Sequence, residues 1–181
     1  MPDEEIELRE ALLQAETMFA GRMISLNLDT VRLPNGVETT REVVRHPGAV
    51  AIVALKDDQI LLVRQYRYPI DQITLEIPAG KLDEGETPLV CAERELREET
   101  GYGGKLTFVG KFYSTPGYSD EIMHLFMAKD LVWNPLSADE DEFLSVVSLP
   151  FAEALQQAEK SEFTDAKTIL GILMAARIMG K

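Results

Sequence analysis

Apolar and polar residues alternate along the first part of the chain in a way that predicts paired β-strands. Residues 23–33 follow this two-residue period, with a slip in phase at Asp29-Thr30 that is compatible with a bulge. Pro34-Asn35-Gly36 is a strong turn signal, and residues 37–45 then return with strand-like composition. The sequence therefore predicts a β-hairpin over residues 23–45, preceded by a short amphipathic stretch.

The rest of the chain shows short apolar runs that are separated by turn residues and interrupted by helix-like segments. Strands on both sides of one central helix, with two more helices at the end, do not follow regular βαβ alternation. We therefore expect an α+β sandwich with a mixed sheet. The predicted strands are 49–55, 60–66, 73–77, 106–113, 122–128 and 143–149, and the predicted helices are 88–100, 151–160 and 165–179.

Composition is that of an ordinary globular protein, with 181 residues, 45% apolar and 27% charged. One cysteine, Cys91, cannot support an internal disulfide framework, and it fits a reducing compartment. We see no charged-then-apolar leader and no apolar run of membrane-spanning length. The expectation is a cytoplasmic protein with no membrane association.

The formal charge is −13, from 31 acidic and 18 basic residues. The negative electrostatic potential of such a charge repels the phosphate backbone of nucleic acids, so a nucleic-acid partner is not expected. It also repels any small anionic ligand unless cations intervene. An anion-binding function for this chain would therefore require divalent metal ions.

A helix with clear start and stop signals is predicted after residue 87. Thr87 can cap a free backbone N–H, and Pro88 at the first helical position has no N–H to leave unpaired. Gly101 is placed to take the left-handed conformation that ends the helix. We expect a core-facing stripe on this helix, made by Leu89, Ala92 and Leu96.

The same helix carries a group of carboxylates. Glu95, Glu98 and Glu99 stand at i, i+3 and i+4, so their side chains leave from one face and repel each other. Hard oxygen ligands of this kind suit Mg²⁺ or Mn²⁺. A solvated acidic helix face is the alternative for these residues taken alone.

The spacing around the carboxylates is more specific than the carboxylates themselves. Gly80 is followed by five residues and Glu86, then by seven residues and the run 94–102, which reads Arg-Glu-Leu-Arg-Glu-Glu-Thr-Gly-Tyr. This pattern resembles the Nudix box, the signature of hydrolases that cleave diphosphates linked to a nucleoside. Tyr102 departs from it, because the family more often has an aliphatic residue there. The resemblance implies a Nudix-type α/β/α sandwich.

Further segments are similar to bacterial ADP-ribose pyrophosphatases within the Nudix family. Pro116 lies 15 residues after Gly101, where that subfamily is marked by a proline. The resemblance implies Mg²⁺-dependent hydrolysis of ADP-ribose to AMP and ribose 5-phosphate. Another nucleoside diphosphate sugar, a dinucleotide such as NADH, or a non-catalytic nucleotide-sensing module remains an alternative. The other similar segments are 45–50, 65–67, 75–80 and 114–117 with Asp120 and Glu121.

The resemblance also implies roles for individual residues. Arg94 would hold the carboxylates in place, and Glu98 would assist catalysis. The general base would come from the acidic loop 138–143, with Glu142 as first choice and Glu140 as second, although a solvated acidic turn is the alternative there. Two or three Mg²⁺ ions are implied, with Mn²⁺ as a substitute. The implied metal ligands are Glu95, Glu99, Glu98, Glu86 and the backbone carbonyl of Ala79.

Substrate contacts and assembly follow from the same resemblance. Arg67, Glu76 and Thr115 are similar to residues that line the substrate pocket. The expected organisation is an N-terminal segment, 1–46, and a Nudix domain, 47–181. A homodimer is expected, in which the N-terminal segment reaches across to the partner. Glu42 or Arg45 of one chain would then lie near the substrate bound to the other.

Overall fold

The computed structural model of the protein describes residues 8–137 and 143–181. The strands are β1 Ala11–Ala20, β2 Ser25–Arg32, β3 Glu38–Arg45, β4 Ala49–Lys56, β5 Gln59–Arg67, β6 Gln72–Glu76, β7 Ala79–Lys81, β8 Tyr102–Tyr113, β9 Ile122–Trp133 and β10 Leu144–Pro150. The helices are α1 Pro88–Thr100, α2 Phe151–Glu159 and α3 Ala166–Met179, and Tyr68–Ile70 forms a 3-10 turn.

The chain forms two compact units. The first contains the described residues up to Pro47 together with Tyr113–Ile122, and the second contains Gly48–Phe112 and Met123–Lys181. The first unit therefore includes a segment from far along the chain. The division of the chain into 1–46 and 47–181 stays a prediction.

The first unit is built on a three-stranded antiparallel sheet in the order β1-β2-β3. The predicted hairpin is present as β2 and β3, and the Asn35 side chain accepts the Val37 N–H at 3.1 Å in its turn. The pairing of β2 with β3 is continuous through Asp29 and Thr30, so the bulge suggested there is absent from this pair. The phase slip arises because Asp29 is itself buried, with its carboxylate 2.7 Å from Arg45.

Strand β1 was not predicted from the sequence, which indicated only an amphipathic stretch. It pairs with β2 along its length, and the register shifts between Leu12 and Gln14 and between Thr17 and Phe19. All ten of its residues are exposed. Its alanine, glutamine, glutamate and methionine residues favour helix over strand, and no alternation marks them. Pairing with β2 therefore overrides local preference here.

The second unit contains a mixed sheet in the order β10-β5-β4-β9-β8, with β6 added to β5 and β7 to β4. Strands β4 and β9 run parallel, from Ala49 opposite Met123 to Ala54 opposite Ala128. Strand β5 pairs antiparallel with β4, β6 and β10. The predicted mixed sheet is confirmed.

Strand β4 separates two apolar clusters, because its side chains alternate between the faces of the sheet. Ala51 and Val53 belong to the cluster that includes residues of α2 and α3. Val50 and Ile52 belong to the cluster that includes residues of α1. Helices therefore cover both faces of the sheet, and the predicted α+β sandwich of three layers is confirmed.

The buried face of α1 differs from the prediction. Cys91, Ala92 and Leu96 are fully buried, but Leu89 is 47% exposed. Two predicted metal ligands, Glu95 and Glu99, are buried instead, so the carboxylate face and the core face overlap. Leu89 points in a direction between the buried Leu96 and Thr100, so its exposure comes from its place in the first turn of the helix and not from a rotation of the helix.

No helix in the described part of the chain combines the length and apolar character needed to cross a membrane.

Candidate active site

Helix α1 has the bounds and the caps that the sequence predicted. The Thr87 hydroxyl accepts the Val90 N–H at 3.4 Å, and Pro88 begins the helix. Gly101 ends it with φ of 78°, and its N–H donates to the Arg97 carbonyl. A side chain at position 101 would also collide with Trp133, since a Cβ atom there would lie 2.3 Å from the ring. Glycine is needed here for both conformation and space.

Arg94 forms the centre of a carboxylate cluster. Its guanidinium donates to Glu86 at 2.9 and 3.0 Å, to Glu95 at 2.7 Å and to Glu98 at 2.9 Å. It also donates to the Lys81 carbonyl at 3.2 Å, which ties α1 to β7. A rigid fork with five N–H donors can hold several carboxylates at fixed angles, and this is the geometry of charge-assisted hydrogen bonds.

Two groups of this cluster, Glu86 and Arg94, are held in their charged forms. Hydrogen bonds from Arg94 lower the pKa of Glu86 to about 2, against the opposing effect of burial. The same contacts, with that to Glu86 the largest, raise the pKa of Arg94 above its usual range. Both groups are therefore fully charged at neutral pH.

Glu99 and Glu95 contact the segment that joins β6 to α1. The Glu99 carboxylate accepts the Ala79 N–H at 2.8 Å. The Glu95 carboxylate lies against Gly80, where a Cβ atom would be 1.9 Å from it. These contacts place two nearly buried carboxylates beside the Ala79-Gly80 backbone.

Cys91 lies in the same helix but has no nucleophilic character. Burial, together with the charges of Glu86 and Glu95, raises its pKa well above the usual thiol range. Its Sγ donates to the Lys81 carbonyl at 3.3 Å. This environment is that of a buried structural thiol.

A second charged cluster surrounds Glu76, which is 2% exposed. Arg67 donates to it in bidentate fashion, with Nε and Nη2 2.8 and 2.7 Å from the two carboxylate oxygens. Thr74 donates to it at 2.6 Å, and Lys167 donates to it from α3. Burial alone would raise the pKa of Glu76, but the hydrogen bonds and charges of Arg67 and Lys167 lower it to about 2.

The first turn of α3 was missed as part of the site. Asp165 caps this helix by accepting the Thr168 N–H at 3.0 Å, and Lys167 lies 3.0 Å from the Asp165 carboxylate. Thr168 Oγ1 accepts the Ile77 N–H at 2.9 Å. The sequence offered one weak signal, because a lysine in the first turn of a helix opposes the helix dipole unless an anion lies nearby.

The other predicted substrate residues lie in the first unit. Arg45 forms salt bridges with Asp29 at 2.7 Å and with Asp120 at 3.3 Å. Glu42 is exposed on β3, and Thr115 is part of a turn in which its carbonyl accepts the Tyr118 N–H at 3.2 Å.

The two candidate bases, Glu140 and Glu142, lie outside the described residues.

Tyr102 stands where the Nudix box more often has an aliphatic residue. Its ring packs edge-on against Trp133, with ring centroids 5.2 Å apart. Its hydroxyl accepts a hydrogen bond from Lys56 at 3.1 Å. Both rings line a cavity of about 690 Å³ near the turn that joins β4 to β5. Of the described residues predicted to bind metal or substrate, none lines this cavity. Its described contacts therefore place Tyr102 at this cavity, apart from the carboxylate cluster.

The donor set around Ala79 suits a divalent cation. Among the described residues, no three acidic, histidine or cysteine side chains converge as a ready-made metal group, because Arg94 is hydrogen-bonded among the carboxylates. Even so, Arg94 contacts three glutamates, Glu86, Glu95 and Glu98, and a fourth, Glu99, accepts the Ala79 N–H from the same helix. Glu95 and Glu99 are nearly buried. Hard oxygens with excess negative charge fit Mg²⁺ or Mn²⁺.

Comparison with known proteins identifies the class. Residues 44–170 match the NUDIX domain, and so the chain belongs to the NUDIX family. It is 45% identical over 169 residues to the ADP-ribose pyrophosphatase of Bacillus subtilis (strain 168), covering 91% of each chain. It is 44% identical over 167 residues to the methanol dehydrogenase activator of Bacillus methanolicus, covering 90% of each.

The fold agrees with a solved structure from the same group of proteins. The crystal structure of an ADP compounds hydrolase superposes with a TM-score of 0.84 and 29% sequence identity, covering 96% of each chain. The family resemblance and the sandwich fold that the sequence predicted are both confirmed.

Proposed function

We propose that this protein hydrolyses the diphosphate linkage of ADP-ribose to AMP and ribose 5-phosphate, with Mg²⁺ as the metal ion. The observation that carries the proposal is the pair of nearly buried carboxylates, Glu95 and Glu99, held beside the Ala79-Gly80 backbone on a NUDIX-family helix. The name and 45% identity of the Bacillus subtilis relative support ADP-ribose as the substrate.

The proposed metal ligands are Glu95, Glu99 and the backbone carbonyl of Ala79, with smaller contributions from Glu98 and Glu86. Two or three Mg²⁺ ions are proposed, with Mn²⁺ as a substitute because it prefers the same hard oxygen ligands. When bound, such ions neutralise charge on the diphosphate and make water more acidic. They would also offset the net charge of −13, which otherwise disfavours an anionic substrate.

Arg94 acts in this proposal by fixing the carboxylates. Its hydrogen bonds to Glu86, Glu95 and Glu98 hold these three carboxylates in a fixed arrangement. A positive charge at this point also reduces the repulsion among them. Glu98, which is less buried than Glu95, would assist in orienting water.

Arg67 is the proposed substrate-binding arginine. Two of its nitrogens donate hydrogen bonds to Glu76, but the side chain is 40% exposed, so part of the guanidinium faces solvent. A planar, oriented guanidinium suits phosphate recognition. Glu76 lies almost completely buried, and we assign it the role of orienting Arg67. Thr115 remains a proposed pocket residue.

The proposed general base is Glu142, with Glu140 as second choice. This assignment rests on the family resemblance and on the acidic composition of loop 138–143. A carboxylate that takes a proton from water would complete the reaction.

A homodimer with an exchanged N-terminal segment is proposed as well. Strand β1 is the edge of its sheet and is exposed at all ten residues, including Leu12, Met18 and Phe19. Exposed edges with apolar side chains are normally covered in stable proteins. A second copy of the chain would cover this edge and would bring Glu42 or Arg45 near the partner's substrate. A cytoplasmic location is part of the same proposal.

A substrate panel tests the proposed activity. Purified protein with Mg²⁺ is assayed against ADP-ribose, other nucleoside diphosphate sugars and NADH, and the products are separated. AMP and ribose 5-phosphate from ADP-ribose, at the highest kcat/KM of the panel, are expected. A higher kcat/KM for another member would transfer the assignment to that substrate. Binding without turnover of any member would favour a nucleotide-sensing module.

A further inference from the structure

The first turn of α3 holds the strand end that carries Glu76. Lys167 donates to the Glu76 carboxylate, and Thr168 accepts the Ile77 N–H, although both lie 91 residues further along the chain. Thr168 is fully buried and the Lys167 side chain is 13% exposed. These contacts therefore belong to the interior and are not incidental surface pairs.

The Glu76 carboxylate, held in this way, in turn orients the Arg67 side chain. The bidentate contact fixes the plane of the Arg67 guanidinium, because two parallel N–H···O bonds allow little rotation. Thr74 donates to the same Glu76 oxygen that accepts from Arg67 Nε. Lys167 donates to the Glu76 oxygen that accepts from Arg67 Nη2. Each carboxylate oxygen is thus shared between Arg67 and one other donor.

Charge in this cluster is balanced. Arg67 and Lys167 are the cations, and Glu76 and Asp165 are the anions, with Lys167 in contact with both. Without Lys167, the charge of the buried Glu76 carboxylate would be compensated by Arg67 alone among the described side chains that contact it. Arg67 would then be drawn further onto Glu76, and its exposed part would present less positive potential to an anion.

We propose that Lys167 is a positioning residue for substrate binding, which acts through Glu76 to keep the Arg67 guanidinium oriented and available to the diphosphate. This rests on the proposed function, in which Arg67 contacts the substrate. Lys167 itself has little exposed surface and is not placed to bind the substrate directly.

Kinetics of Lys167 variants test this role, with KM and kcat measured for ADP-ribose or for whichever panel member is hydrolysed best. Lys167→Met keeps the length of the side chain and removes its charge. We expect KM to rise about tenfold, the effect of weakening one charged hydrogen bond, while kcat stays within about twofold. Lys167→Arg should restore most of the affinity. Lys160→Met, at an exposed lysine that ends α2, is the matched control and should leave KM unchanged.

A purely structural role predicts a different result. Lys167→Met would then lower the unfolding temperature and the active fraction, and KM would not change, which would overturn the proposal. Lys167→Gln keeps a donor without the charge, and the same rise in KM is expected if the methionine variant does not fold. A normal KM in the folded glutamine variant would also overturn the proposal.

Arg67→Met separates this inference from the proposed function. An unchanged KM in that variant, with ADP-ribose still hydrolysed, would mean that Arg67 does not bind the substrate. The assignment of Arg67 and the inference about Lys167 would then both fail, and the proposed hydrolysis would stand. A raised KM for Arg67→Met with a normal KM for Lys167→Met would overturn only the positioning role of Lys167. In the double variant, KM should match that of Arg67→Met within about twofold, because Lys167 acts through Arg67. Effects that multiply would contradict this coupling.

Discussion

The Glu95 carboxylate occupies the space in which Gly80 would carry a side chain, with its carbon only 1.9 Å from an ideal Cβ at that position. Real Cβ atoms do not approach other atoms so closely, so any side chain at position 80 must displace Glu95. The glycine therefore serves the proposed metal site by leaving room for the Glu95 carboxylate.

Gly80→Ala should reduce kcat/KM by about a hundredfold or more, because a displaced Glu95 cannot keep the geometry of a proposed metal ligand. Circular dichroism and thermal unfolding would show that the protein still folds. Gly110→Ala is the matched control, since the nearest atom to its added Cβ is a methionine side-chain carbon at 3.6 Å, an ordinary contact. Equal loss in both variants would indicate general damage to the sheet.

Glu99→Gln should keep the fold and remove most activity. The amide has the same shape and can still accept the Ala79 N–H, but it lacks the charge that would hold a cation. We expect a loss of about a hundredfold or more in kcat at saturating Mg²⁺. Glu93→Gln, at an exposed position of the same helix, should behave as wild type. Near-normal turnover of the Glu99 variant would remove it from the metal site.

Local signals predicted the parts of the site that lie close together in sequence. Thr87, Pro88 and Gly101 determine helix α1 through caps that act over three or four residues, and the structure reproduces its bounds. The cluster around Arg94 follows from the same helix and the short loop before it. Spacing alone could suggest that Glu95 and Glu99 share a face. It could not reveal that this face is buried against Ala79 and Gly80.

Long-range contacts account for what the sequence did not predict. Lys167 enters the site because α3 packs beside the end of β6, and the weak signal of a lysine in the first turn of a helix does not say which anion it meets. Strand β1 exists because β2 offers it a partner, against its own helix-favouring composition. Leu89 illustrates a third case, because it has the direction of the buried face but lies in the first turn of the helix, where it is exposed.

The two loop carboxylates can be separated by kinetics. Glu142→Gln should lower kcat with little change in KM, because a general base acts mainly in the transition state. A loss of about a hundredfold to a thousandfold is expected for this variant, and a smaller one for Glu140→Gln. If Glu140→Gln is the more damaging change, the assignment of the base must be exchanged. If both variants are normal, water is activated by another group.

Acid stability should depend on Glu76. Its pKa falls from 4.5 in the unfolded chain to about 2 in the fold, so its contribution is present above pH 4.5 and is lost as pH falls toward 2. The shift corresponds to a stabilisation on the order of 3 kcal/mol at neutral pH. Urea unfolding at several pH values should show Glu76→Gln less stable than wild type at pH 7.

The difference between Glu76→Gln and wild type should shrink as the pH is lowered from about 4.5 toward 2. Glu153→Gln, an exposed carboxylate on α2, provides the control and should follow wild type at every pH. A constant difference across the acid range would mean that the effect comes from packing of the amide and not from charge.

Assembly can be tested on β1 itself. Phe19 is 57% exposed on this edge strand, and Phe19→Asp would place a charge in an interface formed by a second copy. Gel filtration with light scattering should give about twice 20.2 kDa for wild type and a shift toward one chain for the variant. Val132→Asp, at another exposed apolar residue, should stay dimeric.

A charge on β1 is a sharper probe than removal of the whole N-terminal segment. The Val44 backbone pairs with Tyr118 and Asp120, so a chain that starts at about residue 47 would also lose the partners of the 113–122 segment.

If the hairpin is shared between subunits, Phe19→Asp should raise KM as the mass falls, because the partner's Glu42 or Arg45 leaves the pocket. A wild-type mass near one chain, with activity retained at that concentration, would exclude the homodimer. A monomeric variant with unchanged KM would show that each chain builds its own site.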